Sequence, residues 1–382
     1  MTAQLPTPSA TALASSEALQ NLIREAIRHN DNFIPFSRFM ELALYAPRYG
    51  YYTGGAHKIG AAGDFITAPT LTPLFAQTLA RQITPLLSQT DGNVYEFGAG
   101  TGELAAGLLQ SLSDGLNHYY IIEVSTELAE RQYQHILERA PDVADKVIHL
   151  TKLPEHFDGM IIGNEVLDAM PCEIIRHEQH QFLQTGVSLE GESFIQSTRP
   201  LTDHALLQAA AEYFPPDEPY TSELHPAQHA FIRTLAEKLL RGGMIFIDYG
   251  FDAAQYYHPQ RTMGTFIGHY RHHTVHDPFF HIGLTDLTAH VNFTDIAQAG
   301  TDTGLDLIGY TTQAHFLLNL GITGLLAQTA DPESADYIRE AAAIHKLLGQ
   351  HEMGELFKVI AFGRDIDIDW QGFISGDICH KL

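Results

Sequence analysis

The chain has 382 residues, 45% of them hydrophobic and 18% charged, which is enough apolar material for a packed core together with a sizeable insertion or second domain. Its 46 acidic against 22 basic side chains leave a formal net charge of −24, a field that repels phosphate backbones and anionic lipid. A nucleic-acid partner is therefore not expected, whereas a cationic peptide is compatible, and the two cysteines, Cys172 and Cys379, form no CxxC pair that would point to a disulfide framework or a structural zinc.

Residues 1–15, rich in Ala, Ser, Thr and Pro, read as a disordered tail with neither the apolar core of a signal peptide nor the arginines of a transit peptide, and a cytoplasmic setting is expected. Leu19, Leu22, Ile23, Ala26 and Ile27 then recur at helical spacing, and Pro35 can open a second helix running to about Tyr45. A Gly-rich segment from Tyr49 to Gly63 precedes a third helix from Thr72 to Leu87, so 16–92 reads as a helical lid module. From Asn93 the pattern changes to short apolar runs alternating with amphipathic helices, the signature of βαβ units and a parallel sheet. The runs are Val94 to Phe97, Tyr119 to Glu123, Val147 to Leu150, Met160 to Ile162, Met244 to Tyr249, Leu305 to Tyr310 and Leu356 to Phe362. Helices are expected near Glu103 to Leu112, Thr126 to Arg139 and Pro226 to Leu240. These make an α/β, Rossmann-like seven-stranded core over 93–250 and 294–382.

Two stretches break the alternation. Glu173 to Phe194 reads as hairpin strands within a partly helical insertion over 173–224, and 251–293 reads as a His-, Gly- and aromatic-rich loop insertion. Both are substrate-side candidates, because ligand sites of open α/β sheets are built from connections beyond the strand ends. The most apolar stretch, Phe316 to Ala327, is short for a membrane span and is interrupted by Asn319, Gly321 and Gly324, so no membrane insertion is expected.

The strongest local motif is Tyr95-Glu96-Phe97-Gly98-Ala99-Gly100-Thr101-Gly102-Glu103, which follows a strand and opens a helix. Its glycines let the backbone turn tightly and approach a ligand, and the helix amino end offers unpaired N–H groups to a carboxylate or phosphate. About twenty residues further on, Glu123 ends the next strand in Tyr119-Tyr120-Ile121-Ile122-Glu123-Val124-Ser125, where an acid can accept the ribose hydroxyls of an adenosine moiety. NAD would satisfy the same pair of features. The discriminator is Gly163-Asn164-Glu165-Val166-Leu167-Asp168-Ala169-Met170-Pro171, directly after the fourth strand. A helical turn starting at Asn164 would put Glu165 and Asp168 on one face, with Asn164 as its cap. Two neighbouring carboxylates suit a guanidinium, whose planar fork they can bind and whose proton they can take up.

With Gly63-Asp64-Phe65-Ile66-Thr67-Ala68-Pro69, Ile247-Asp248-Tyr249-Gly250, Asp286-Leu287-Thr288-Ala289-His290-Val291-Asn292-Phe293 and Met353-Gly354-Glu355-Leu356-Phe357-Lys358-Val359, these motifs resemble, in order from about residue 34 to the C-terminus, the MidA family of class I methyltransferases dependent on S-adenosyl-L-methionine (SAM). Mitochondrial members of that family assist respiratory complex I assembly by symmetrically dimethylating an arginine of one subunit. The resemblance implies a class I methyltransferase sheet, SAM as cofactor and a protein substrate carrying an arginine; a homo-oligomer is compatible with it. The implied donor-binding set is Asp64, Phe65, Thr67, Glu96, Gly98, Gly100, Gly102, Glu123, Val124 and Asn164. Glu165 and Asp168 would face the acceptor as catalytic residues, with His290 near them. The chain departs from the family in having Ala99 and Thr101 where Pro and Arg are usual, and Thr70 where Glu follows Thr-Ala-Pro.

His269, His272, His273, His276, His281 and His290 invite a metal reading, but there is no i, i+4 helical pair joined by a carboxylate ligand and no cysteine nearby, and no metal is expected. Tyr256, Tyr257, Phe266, Phe279 and Phe280 read as packing rather than as an aromatic cage. The rival readings are an assembly factor that binds SAM without turnover and an NAD-dependent oxidoreductase, for which the chain offers no recognisable hydride-acceptor site.

Overall fold

The seven apolar runs form the strands of one sheet in a computed structural model that describes residues 5–54, 67–112, 114–217, 219–329 and 331–382. They are β1 (Asn93–Phe97), β2 (Tyr119–Ile122), β3 (Val147–Leu150), β4 (Phe157–Asn164), β5 (Leu239–Phe251), β6 (Asp306–Thr312) and β7 (Phe357–Arg364). Their order is β3-β2-β1-β4-β5-β7-β6, parallel except for β7, which runs antiparallel to both of its neighbours. Parallel neighbours require crossover connections, and the helices Glu103–Ser111, Thr126–Arg139 and Pro226–Lys238 supply them after β1, β2 and β4. The sequence places β1 in the middle of the sheet because all five of its residues are buried.

The chain divides into two compact units. The sheet unit comprises residues 66–167, 230–250 and 293–382. Its core joins Val94, Ile121, Met160, Ile162, Ile245, Ile247 and Val359 of the sheet to Leu104, Leu108 and Ile136 of the helices. The helix Pro73–Leu87 belongs to this core through Phe75, Leu79, Ile83 and Leu86, all buried. The last helix expected within 16–92 thus spends its apolar face on the sheet core.

The second unit comprises residues 1–65, 168–229 and 251–292. Its first helix, Ala10–Arg28, begins inside the stretch expected to be a disordered tail. The Ser9 side chain accepts from the Ala12 N–H as a cap, Leu19, Ile23 and Ile27 are buried, and the Ser16 hydroxyl donates to the Ile282 carbonyl at 2.7 Å. Helix Phe36–Tyr45 follows, as Pro35 suggested. An antiparallel sheet pairs Gln181–Glu190 with Glu173–Glu178, with Ser193–Pro200 and with Ile34–Pro35, and Glu173–Glu178 also pairs with Tyr220–Leu224. The His-rich segment is more regular than a loop: Ile267–Tyr270 lies between His273–Val275 and Asp286–Thr288 in a three-stranded sheet, anchored by the buried side chains of Tyr270, Val275 and Leu287. Tyr256 and Tyr257 are buried against Phe214 and Tyr220, and Phe266 and Phe279 meet Phe36 and Phe39 edge-on, so these aromatic residues do pack. Among the described residues no helix is long and apolar enough to cross a membrane.

Candidate functional site

In the sheet unit, β1 delivers the chain into a turn that only glycine builds without strain. Gly98, Gly100 and Gly102 have φ of 66°, 55° and 85°, and Gly102 caps the helix Glu103–Ser111. A side chain on Gly98 would also collide with Val166, whose Cγ2 lies 2.8 Å from where its Cβ would stand. Val166 belongs to the connection after β4, so the glycine turn and that connection touch. The helix Ala68–Leu71, opened by Thr67, packs on the helix Glu103–Ser111. Asp64 and Phe65 lie outside the described residues.

Beside the turn, at the end of β2, stands Glu123. Its Oε1 accepts the Ser125 N–H at 2.8 Å and its Oε2 accepts the Gln132 amide at 3.3 Å, leaving lone pairs for further donors. Burial pushes this carboxyl up from its ordinary value, and the hydrogen bonds from Ser125 and Gln132 pull it back. The next residue, Val124, is 69% exposed, an apolar side chain with little packed on it. Glu96 on β1 is buried and accepts the Tyr119 hydroxyl at 2.7 Å; its carboxyl is raised to about 7, chiefly by desolvation, with the tyrosine bond opposing.

The connection after β4 is not the helical turn that the spacing of Glu165 and Asp168 suggested. Asn164 is the last residue of the strand, and Glu165 follows with φ of 54°, a left-handed conformation that costs a non-glycine residue on the order of 1–3 kcal/mol. The fold over-determines it. The Glu165 N–H donates to the Ile247 carbonyl at 2.9 Å and its carboxylate accepts the Asn164 amide at 3.0 Å. The buried Asp248 of β5 accepts the N–H groups of Val166 and Leu167 at 3.1 and 2.8 Å with one oxygen and that of Tyr249 at 2.8 Å with the other. The Oδ1 of Asn164 is buried and has no hydrogen-bond partner among the described residues, an acceptor at the strand end awaiting a donor.

Neither Glu165 nor Asp168 lies in a helix, so the two share no helical face, and the boundary between the units falls between Leu167 and Asp168. In the second unit Asp168 is buried and its carbonyl accepts the Ala289 N–H at 3.0 Å, which brings it beside the segment that carries His290. The His290 ring stacks on Phe251, with centroids 5.3 Å apart and planes inclined by 3°, and the His290 backbone N–H donates to the Thr265 hydroxyl at 3.0 Å. Thr265 is itself fixed by the buried Glu223, which accepts its N–H, its hydroxyl, the Phe266 N–H and the Tyr256 hydroxyl. Tyr45 donates to the Ala169 carbonyl and Tyr52 to Asp286, both at 2.9 Å. The Tyr52 hydroxyl is held well above its ordinary value, first by burial, then by Asp286, Tyr45 and Asp168. Asp168 thus sits in a tyrosine- and carboxylate-rich corner.

Sequence reasoning assigned no role to Gln132, Asp248, Glu223 or Thr265. Asp248 carried a signal, an acid at the end of an apolar strand run. Gln132 carried another: with Ile136, four residues on, it is one of two fully buried positions on the helix Thr126–Arg139. Glu223 and Thr265 gave none, because they act only through contacts distant in sequence. Among the described residues no cluster of three or more His, Cys, Asp or Glu side chains could hold a metal.

Residues 78–311 match the model of a family of SAM-dependent methyltransferases. A protein from Burkholderia thailandensis, crystallised with bound S-adenosyl-homocysteine, is 47% identical, with a TM-score of 0.95 over 99% of this chain and 100% of that one. The mitochondrial protein arginine methyltransferases NDUFAF7 of Danio rerio and its homologue of Drosophila melanogaster are both 26% identical, over 85% and 86% of this chain and 82% and 81% of theirs.

Proposed function

Starting from the chain's membership of the MidA family of class I SAM-dependent methyltransferases, we propose that it methylates an arginine side chain of a partner protein, by symmetric dimethylation, in the service of respiratory complex assembly. Bound SAM supplies a methyl group made electrophilic by its sulfonium. The residues fit such a donor: the glycine turn and the amino end of the helix Glu103–Ser111 suit its carboxylate, Glu123 its ribose hydroxyls, and the exposed Val124 its apolar adenine face. Asp64, Phe65, Thr67, Glu96 and Asn164 complete the assigned donor set.

The observation that carries the arginine reading is Glu165: a carboxylate held in a strained conformation at the end of β4, in a connection that touches the donor turn through Val166 and Gly98. Strain maintained by three separate groups, Ile247, Asn164 and Asp248, marks a position kept for function. In this reading Glu165 binds the guanidinium and takes up its proton, the Asn164 Oδ1 orients an N–H, and Asp168 and His290 act on the acceptor side. A guanidinium is a poor nucleophile while protonated, so a nearby base is what the chemistry requires. The formal charge of −24 and the NDUFAF7 relatives, named as protein arginine methyltransferases, support the same substrate. The two free cysteines accord with a reducing, cytoplasmic setting.

Glu165→Gln keeps the shape and removes the base. Transfer of labelled methyl from SAM to protein in a cell extract is expected to fall by about a hundredfold or more, while S-adenosyl-homocysteine affinity stays within about twofold. Equal loss of both would move Glu165 into the donor site and remove the base from this account. Absence of labelling by the unaltered protein would favour a SAM-binding assembly factor.

A further inference from the structure

Beside the glycine turn lies a fully buried polar group, the Gln132 amide. Gln132 directs its two amide hydrogens to two different parts of the donor site: one to the Gly100 carbonyl at 3.1 Å, the other to the Glu123 carboxylate at 3.3 Å. Its backbone also lines the turn, since a Cβ on Gly102 would lie 3.3 Å from the Gln132 carbonyl oxygen. The amide oxygen in turn lies 3.1 Å from Nε2 of His149 on β3, which donates to it. Every hydrogen-bonding position that matters is used once. The reversed amide would set its oxygen against the Gly100 carbonyl and the Glu123 carboxylate together, two repulsions that a buried group cannot shed to water.

We propose that Gln132 is a positioning residue for the methyl donor: it ties the glycine turn to the nucleoside acid so that both recognise one ligand in a fixed geometry, with His149 setting the direction of the amide. The inference rests on the assignment of Glu123 to the ribose. Two consequences follow from the chemistry. A rigid link between the turn and Glu123 lowers the cost of ordering them on binding. A donor pointed at Glu123 keeps that half-buried carboxyl ionised, the form that accepts from ribose hydroxyls, against the upward push of burial.

The test is calorimetric titration of the full chain with S-adenosyl-homocysteine across pH 5 to 8. Gln132→Met, similar in volume and without polar hydrogens, is expected to weaken binding about tenfold to a hundredfold. Its loss of affinity on acidification should set in at higher pH than in the unaltered protein. Gln132→Glu, isosteric but placing an acceptor against two acceptors, should bind more weakly than Gln132→Met at neutral pH and recover part of the difference on acidification, as protonation restores one donor. A residue that only fills space would give both variants the same affinity and an unmoved acid midpoint, and that result overturns the proposal. So would unaltered binding by a folded Gln132→Met. Should Gln132→Met not fold, the acid-side recovery of Gln132→Glu decides alone. Glu123→Gln separates the premise from the inference: unchanged affinity there refutes the ribose assignment itself, whereas a loss there with no loss at Gln132 refutes only the link.

Discussion

Glu96 shows how much one buried carboxyl can say about conditions. Its value is about 7 in the folded chain against an ordinary 4.5, because desolvation outweighs the hydrogen bond from Tyr119. Between those two values the folded state holds a proton that the unfolded state has released, so stability falls as pH rises. The contribution of Glu96 is complete below about 4.5, declines through the window and is gone above about 7, a total of roughly 3 kcal/mol. Chemical denaturation at several pH values should therefore show a downward slope between pH 5 and 7 that Glu96→Gln flattens, the difference between the two proteins isolating this group from every other titrating side chain. A slope that the substitution leaves unchanged would mean that Glu96 is ionised in the folded protein. Reading the sequence alone selects Glu96 by its place in the motif; that it is buried with Tyr119 is a tertiary fact, since the two are 23 residues apart and meet because β1 and β2 are neighbours. The same holds for Glu165. Its acid was legible from its place after an apolar run, but its left-handed backbone was not, because nothing local signals it and the bonds that enforce it come in part from β5.

Among the elements, the glycine turn is the one on which the proposed donor site depends. Gly98→Ala meets two separate penalties, a left-handed backbone that costs a residue with a Cβ roughly 1–2 kcal/mol and the overlap with Val166. Destabilisation of about 2 kcal/mol or more is expected from the melt or the denaturant midpoint. Adding Val166→Ala should recover the overlap but not the backbone cost, so the pair should be non-additive. Strict additivity would show that the turn and the connection after β4 do not touch. The sheet strands were legible because each is a short apolar run, rich in β-branched or aromatic residues, bounded by turn residues, and their neighbours in sequence are crossover helices. The segment 251–292 was less so. Its strands are two to four residues long, and their pairing of Ile267–Tyr270 with Asp286–Thr288 spans a connection that period-two reasoning does not see. Nor did composition reveal that Ser9 caps a helix over Ala10–Arg28, since Ala, Ser and Thr suit a tail as well as the start of a helix whose apolar stripe begins later.

At the scale of the whole molecule, the sheet order β3-β2-β1-β4-β5-β7-β6 puts β1 and β4 side by side, and their carboxyl ends carry the glycine turn and the Asn164–Glu165 pair. Ligand sites of open α/β sheets form at such ends. Asp168 and His290 lie in the second unit, where Glu223 and Thr265 fix the backbone of the histidine. Glu165 thus belongs to the sheet unit, and Asp168 and His290 to the other. The proposed function requires that the Gly98–Gly102 turn and Glu123 together grip the donor. A crystal structure of the full chain with S-adenosyl-homocysteine tests this most directly. The expected result is density with the amino-acid carboxylate within hydrogen-bonding distance of the turn and both ribose hydroxyls on the Glu123 carboxylate. Ligand density seated elsewhere, with turn and acid untouched, would contradict it.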